Sequence, residues 1–405
     1  MSSGVSGAYG AVQRCLMSER LDVSVSWILK ILLLLVGLGL LLYLTSTLVI
    51  QPTWISIDDF IEYWGAGRLN LTRGDPYDPV QLESVQLQVG RTLVMMWNPP
   101  WMLTFVMPFA VPPYAVGRSL WLITHLALAF WATEQVHRLY HVPDRYRWLS
   151  WLVGLSFGPI LQALRTGQSG ILMLVGVVGF LYGVLHKRYL LAGALVSLTM
   201  IKPHVLYLFP LAILLWSIRK REWRILAGGA LALLVTSLLP WIINPEVWRE
   251  YFYATSHYPP VDWATPTLGG LLRFVFGIDR FWLQFVGPGL GGVWFFFYWR
   301  RYGEHWEWRE HLPLLLLISV ATAAYGWSSD QSVLLVAVLP VILGLVQRPW
   351  NVRKVLSILA YLLINFLVLS LRVQEFWMWW LALAYLGWYL LATRVVDVRK
   401  ALAEG

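Results

Sequence analysis

A series of long apolar runs limits what this chain can become, and the first of them is Trp27–Ile50. About 18–20 apolar residues in a helix cover the ~30 Å hydrocarbon core of a bilayer. Such runs predict helices near 27–50, 113–136, 148–165, 170–185, 189–201, 204–218, 224–243, 280–299, 312–325, 331–346, 352–371 and 375–393. The expectation is an all-α polytopic membrane protein with about 12 transmembrane helices. Only 13% of the 405 residues are charged, about half the ~25% of a soluble domain, so no sizeable soluble domain is expected. An apolar piece at 97–111 is interrupted by Pro99, Pro100 and Pro108. At ~1.5 Å per residue it reaches only ~22 Å, which predicts a re-entrant hairpin.

Charge sets the expected orientation. Trp27–Ile50 is too long for the core of a signal peptide, and no small-residue cleavage site is clear, so it is expected to stay as the first span behind a cytoplasmic tail, 1–26. With that tail inside, the inner loops and Lys30 hold 21 of the 31 lysines and arginines, and the other side is net acidic. This is a strong positive-inside pattern. One transmembrane domain is therefore expected over 27–393, with outer loops at 51–96 and 244–279 and a second cytoplasmic tail at 394–405. The net charge of +9 then belongs to topology, and no nucleic-acid partner is expected. Two glycine-rich stretches, GVSGAYG and GPGLGG, lack the strand–turn–helix setting of a nucleotide loop. The single cysteine, Cys15, allows neither an intramolecular disulfide nor a cysteine metal cluster, and neither metal nor cofactor is expected.

The unusual segments gather on the outer side. Ser56-Ile57-Asp58-Asp59 has the form of a capping box, with Ser56 as N-cap and both aspartates in the first helical turn. Ile57, Phe60, Ile61, Trp64 and Leu71 fall on one face and Asp59, Glu62, Tyr63 and Ala66 on another, which predicts an amphipathic helix in the membrane interface. The acids either cap a surface helix or supply a partly desolvated base for an acceptor hydroxyl.

The pattern D-F-x-x-Y-W-x-A-G-x-L-x-L-x-x-G-x-P-Y-D, from Asp59 to Asp78, resembles glycosyltransferase family 87. Three landmarks follow in order: Asn98-Pro99-Pro100, Arg165-Thr166-Gly167-Gln168-Ser169, and Lys202-Pro203. The second is similar to the family's G-Q-x-N turn, with Gly170 where asparagine is usual. The resemblance implies a GT-C fold and an inverting transfer of hexose, mannose first, from a polyprenyl-phosphate donor to a lipid-linked or glycolipid acceptor. It implies an extracytoplasmic site in the plasma membrane. It implies a first-loop aspartate as general base, Asp59 first and Asp58 second.

Other outer residues are candidates beside bland alternatives. The Arg165–Gly170 turn offers glycines and a helix N-terminus to phosphate, or is an ordinary turn. Lys202 and His204 follow a short helix broken by Pro203 and are candidate phosphate ligands, although Lys202 could simply snorkel. His257 sits in an aromatic loop that suits a sugar or an isoprenoid, or forms an interfacial belt. Asp330 and Gln331 offer sugar contacts or a second helix cap. Glu62, Tyr63, Asn98, Gln168 and Ser169 complete the expected sugar or acceptor contacts. The segment RVQEFWMWW is expected to anchor the interface. Two rivals remain, a lipid or solute transporter and a non-catalytic binder of isoprenoid glycolipid. No clear internal repeat supports the transporter.

Overall fold

The computed structural model describes residues 58–263, 265–349, 351–370 and 375–396, all within one compact unit. The expected tail 1–26, the first span at 27–50, Ser56 and its cap, and the chain beyond Val396 lie outside the described residues. Those described are helical, with no strand among them. The first helices are α1 (Phe60–Leu71), α2 (Pro79–Leu87), α3 (Trp101–Ala110), α4 (Tyr114–Leu139), α5 (Arg147–Leu155) and α6 (Gly158–Thr166). Next come α7 (Gly170–Leu185), α8 (Tyr189–Val196), α9 (Leu208–Lys220), α10 (Trp223–Ile243), α11 (Val247–His257) and α12 (Leu268–Phe276). The last are α13 (Val286–Tyr302), α14 (Trp308–Ala321), α15 (Leu335–Gln347), α16 (Val352–Ser370) and α17 (Leu381–Val396).

Five helical stretches are long and apolar enough to cross a membrane: Tyr114–Leu139, Trp223–Ile243, Ser328–Gln347, Val352–Ser370 and Glu375–Val395. Shorter apolar helices fill other expected spans, and the breaks have local causes. The run expected at 148–165 divides into α5 and α6, with Gly158 and Pro159 opening the second piece, where a proline is tolerated because its missing N–H has no helical partner. The run at 189–201 is α8 followed by a 3-10 segment, Ser197–Ile201. The piece at 97–111 holds only the ten residues of α3, about 15 Å. That is too short to cross, and α3 packs against α1 and α10.

The amphipathic interface helix is not observed. α1 begins at Phe60, so Asp59 is the N-cap and Asp58 precedes the helix; neither acid lies in the first turn. Ten of its 12 residues are buried, on every side. Trp64, Leu69, Tyr63 and Ala66 pack with α3 and α4 into one apolar cluster. Counting apolar positions could not reveal this, because the polar side of α1 is buried against other protein. A larger cluster joins the interior faces of α4, α6, α7, α9, α14, α15 and α17. Polar side chains bridge the two clusters.

Candidate active site

Asp58 and Asp59 are adjacent but have different surroundings. Asp58 is buried, and Arg118 Nε donates to its Oδ1 at 3.0 Å. Tyr114 Oη donates to its other oxygen, and the Phe60 N–H donates to Oδ1 at 3.3 Å. Arg118 also donates to the carbonyls of Leu164 and Arg165 at 3.0 and 2.8 Å. This buried ion pair pins the start of α1 to α4 and the end of α6. The Asp59 N–H adds a bond of 2.7 Å to Thr166 O. Gly167 makes the approach possible: its φ of +78° is left-handed, and a Cβ there would lie 2.7 Å from Phe60 Cβ.

Asp59 thereby meets the 165–170 turn. Tyr63 Oη and Lys202 Nζ both donate to Gln168 Oε1, at 2.9 and 2.8 Å. The Gln168 side chain also neighbours the Asp59 carboxyl and favours its charged form. Lys202 Nζ also pairs with Asp330 Oδ1 at 2.8 Å, and Asp330 Oδ2 accepts the Trp327 N–H at 2.9 Å. The expected capping role of Asp330 is therefore present together with the ion pair. Burial pushes the Asp59 carboxyl up to about 6, against the lowering effect of Gln168. Burial also pushes Glu62 up to about 8, with the nearby Asp59 charge adding to it. At neutral pH Asp59 is thus mostly ionised and Glu62 mostly protonated.

A cleft of about 270 Å³ opens over this network. Glu62, Asn98, Gln168, Lys202 and His204 supply its polar wall. Trp97, Tyr251, Trp263, Tyr325 and Trp327 supply an aromatic one. Trp263 stands edge-on to Trp97 with ring centres 5.7 Å apart and lies 5.8 Å from Trp327. The broken helix before Lys202 leaves carbonyls that α8 cannot satisfy. Asn98 Nδ2 donates to Ile201 O at 3.2 Å, and Trp101 Nε1 to Met200 O at 3.2 Å. The 97–101 segment is therefore tied to the Lys202 turn. Carboxyl groups, a buried ammonium and flat aromatic faces together suit a polyhydroxylated ligand carrying an anion.

The family model of glycosyltransferase family 87 matches residues 97–319, more than half of the chain. The chain belongs to glycosyltransferase family 87. No curated protein and no solved structure matches it. It is a membrane glycosyltransferase. The matched region contains Asn98, Gln168, Lys202 and His204. The fold brings Asp59, Glu62 and Asp330 to them from outside that region.

Most residues expected at the glycosyltransferase's site do converge. Glu62, Asn98, Gln168, Lys202 and His204 line the cleft. Tyr63 and Asp330 stand behind it, one hydrogen bond away through Gln168 and Lys202, and Asp59 neighbours Gln168. Ser169 Oγ lies 3.4 Å from Tyr63 Oη. Gln331 is buried in the 3-10 segment Ser328–Leu334 and is not on the cleft wall. Three expected phosphate contacts lie off the cleft wall. Arg165 is exposed and off the cleft wall, contributing only its carbonyl to Arg118. His257 is exposed and stacked on Tyr253, ring centres 3.9 Å apart, while Tyr251, Thr255, Pro260 and Trp263 of the same loop reach the cleft. At the N-terminus of α7, Gly170 is packed against the 328–334 segment, where a Cβ would meet Ser329 O at 2.3 Å.

Sequence reasoning missed two groups. Arg118 and Tyr114 lie on an apolar span, and only their burial beside Asp58 identifies them. Glu375, in the segment expected to be a plain interface anchor, accepts both the N–H and the hydroxyl of Ser328, at 2.7 and 2.6 Å. Its charge also acts on Asp59. The one signal for it was an acid amid tryptophans.

Proposed function

We propose that the cleft binds a polyprenyl-phosphate hexose, mannose first, and transfers the sugar to a lipid-linked or glycolipid hydroxyl on the extracytoplasmic face of the plasma membrane. The observation that carries this reading is the Asp59–Gln168–Lys202–Asp330 network beneath an aromatic cleft, in a chain of this family. The acceptor hydroxyl attacks the anomeric carbon while Asp59 takes its proton. The bond from that carbon to the phosphate oxygen breaks, the electron pair leaves with polyprenyl phosphate, and the configuration inverts. Lys202, on the cleft wall, faces the phosphate and stabilises its growing charge, with His204 beside it. The aromatic faces hold the apolar side of the sugar. Glu62, protonated at neutral pH, donates a hydrogen bond to a sugar or acceptor hydroxyl.

A second reading of the base rests on one observation: Glu62 is on the cleft wall, whereas Asp59 reaches it through Gln168. The test is product formation by the purified protein in lipid from labelled polyprenyl-phosphate mannose and a membrane glycolipid extract. Wild type, Asp59→Asn, Asp58→Asn and Glu62→Gln are compared. Loss in Asp59→Asn with residual turnover in Glu62→Gln supports the assignment. Complete loss in Glu62→Gln alone moves the base to Glu62. Transport of the donor without a covalent product would instead favour a transporter.

A further inference from the structure

A second cavity, of about 310 Å³, lies at the other end of the helices. α4 starts at Tyr114, on Asp58, and its 26 residues run about 39 Å before Tyr140 reaches this cavity. α17 follows Glu375 and reaches the cavity at Tyr389 and Arg394, whereas α15 lines its inner end at Ala337 and Pro340. The Tyr140 and Arg394 end of the cavity therefore lies at the opposite ends of α4 and α17 from Asp58 and Glu375.

Its wall carries two cations, Arg309 and Arg394, against one carboxylate, Glu310. Neither arginine forms an ion pair within the described residues. Arg309 Nε and the hydroxyl of Tyr140 are buried with no hydrogen-bond partner among those residues, and Tyr140 is only 6% exposed. A buried donor left unpaired costs the fold the desolvation of that group, so it points to a ligand that accepts. Arg394 also borders an apolar groove of about 660 Å³ between α16 and α17, lined by Trp388, Leu391 and Arg353 among others. Cationic groups therefore flank both this cavity and a groove wide enough for hydrocarbon.

We propose that this is a binding site for an anionic phospholipid, its phosphate held by Arg309, Arg394 and the Tyr140 hydroxyl and an acyl chain lying in the α16–α17 groove. The charge complementarity and the apolar extension select a lipid over a soluble anion. Basic pockets between membrane helices hold such headgroups in the leaflet where anionic lipid is concentrated. The loops on this face are the basic ones, 137–147 and 300–309 among them.

The test uses the full-length protein, stripped of lipid in a neutral detergent. Retention of added phosphatidylglycerol or phosphatidylcholine is read by native mass spectrometry, with inorganic phosphate as competitor. Phosphatidylglycerol is expected to be retained at least ~10-fold better than phosphatidylcholine. Each arginine is worth roughly fivefold in affinity, so Arg309→Gln/Arg394→Gln is expected to lose most of that preference. Arg309→Lys/Arg394→Lys keeps part of it, and Arg219→Gln, outside the cavity, keeps all of it. Should the double variant fail to fold, Tyr140→Phe and Arg394→Gln singly are expected to weaken retention several-fold. Equal retention of the two lipids, or undiminished phosphatidylglycerol binding in every cavity variant, overturns the proposal. So does full displacement by millimolar phosphate, which would make a soluble anion the ligand.

Discussion

Asp58→Asn and Asp59→Asn should move stability in opposite directions, although they alter adjacent residues in the same way. Asp59 is held where its charged form is disfavoured, with its carboxyl raised from 3.8 to about 6. The folded protein binds this proton more tightly than the unfolded chain does. The group's contribution to stability is therefore greatest below pH 3.8, falls as pH rises to about 6, and stays lost above that. At pH 8 the deficit is about 3 kcal/mol, and at pH 5 about half as much. Asparagine removes the charge and can still accept from Gln168, so Asp59→Asn should melt several degrees higher than wild type at pH 8, with a smaller gap at pH 5. Asp58→Asn instead strips a buried arginine of its counter-ion. Breaking one side of such a pair costs about 3–5 kcal/mol, so this variant should melt lower at both pH values. Thermal unfolding of the three proteins in one detergent, with product formation measured on the same samples, checks both halves. A lower melting temperature for Asp59→Asn, or a gap that does not shrink at pH 5, would refute the desolvation argument. Full turnover by Asp59→Asn would refute its role as base.

Three further outcomes follow from the same geometry. Transfer should rise with pH through about 6 as Asp59 ionises and fall through about 8 as Glu62 loses its proton; in a pH–rate profile, Glu62→Gln should remove the alkaline limb and keep the acid one. Lys202→Met leaves Asp330 buried without its partner and should lower stability by about 3–5 kcal/mol and weaken donor binding; Lys202→Met/Asp330→Asn should recover the stability but not the binding, as read by melting and donor titration. Gly170→Asn, which restores the residue usual in the family's turn, should destabilise this protein, because its Cβ would meet Ser329 O at 2.3 Å; folded yield and melting temperature measure it.

The Gly170 result shows why part of this molecule was legible in its sequence and part was not. Hydrophobic length alone announces a helical membrane protein, since about 20 apolar residues in a row have few other uses. Motif order was equally informative for the site: Glu62, Asn98, Gln168 and Lys202 were each singled out, and the fold brings them to one cleft. What the sequence hid was pairing across long separations. Asp58 and Asp59 look alike until Arg118, 60 residues from Asp58, claims the first and leaves the second to Gln168. Arg165 and His257 carry the right charge for phosphate but lie off the cleft wall. α1 has a polar face that suggested an interface, yet that face is packed against the 165–170 turn. The turn can come so close because Gly167 has no side chain to meet Phe60. The two glycines therefore do more than shape a turn. One admits the helix that carries Asp59 and Glu62, and the other admits the Ser328–Leu334 segment that carries Asp330 to Lys202. An acidic network assembled from four distant segments around one buried lysine depends on both approaches, so the glycosyltransferase's site should be more sensitive to added volume at these glycines than to loss of exposed charge at Arg165.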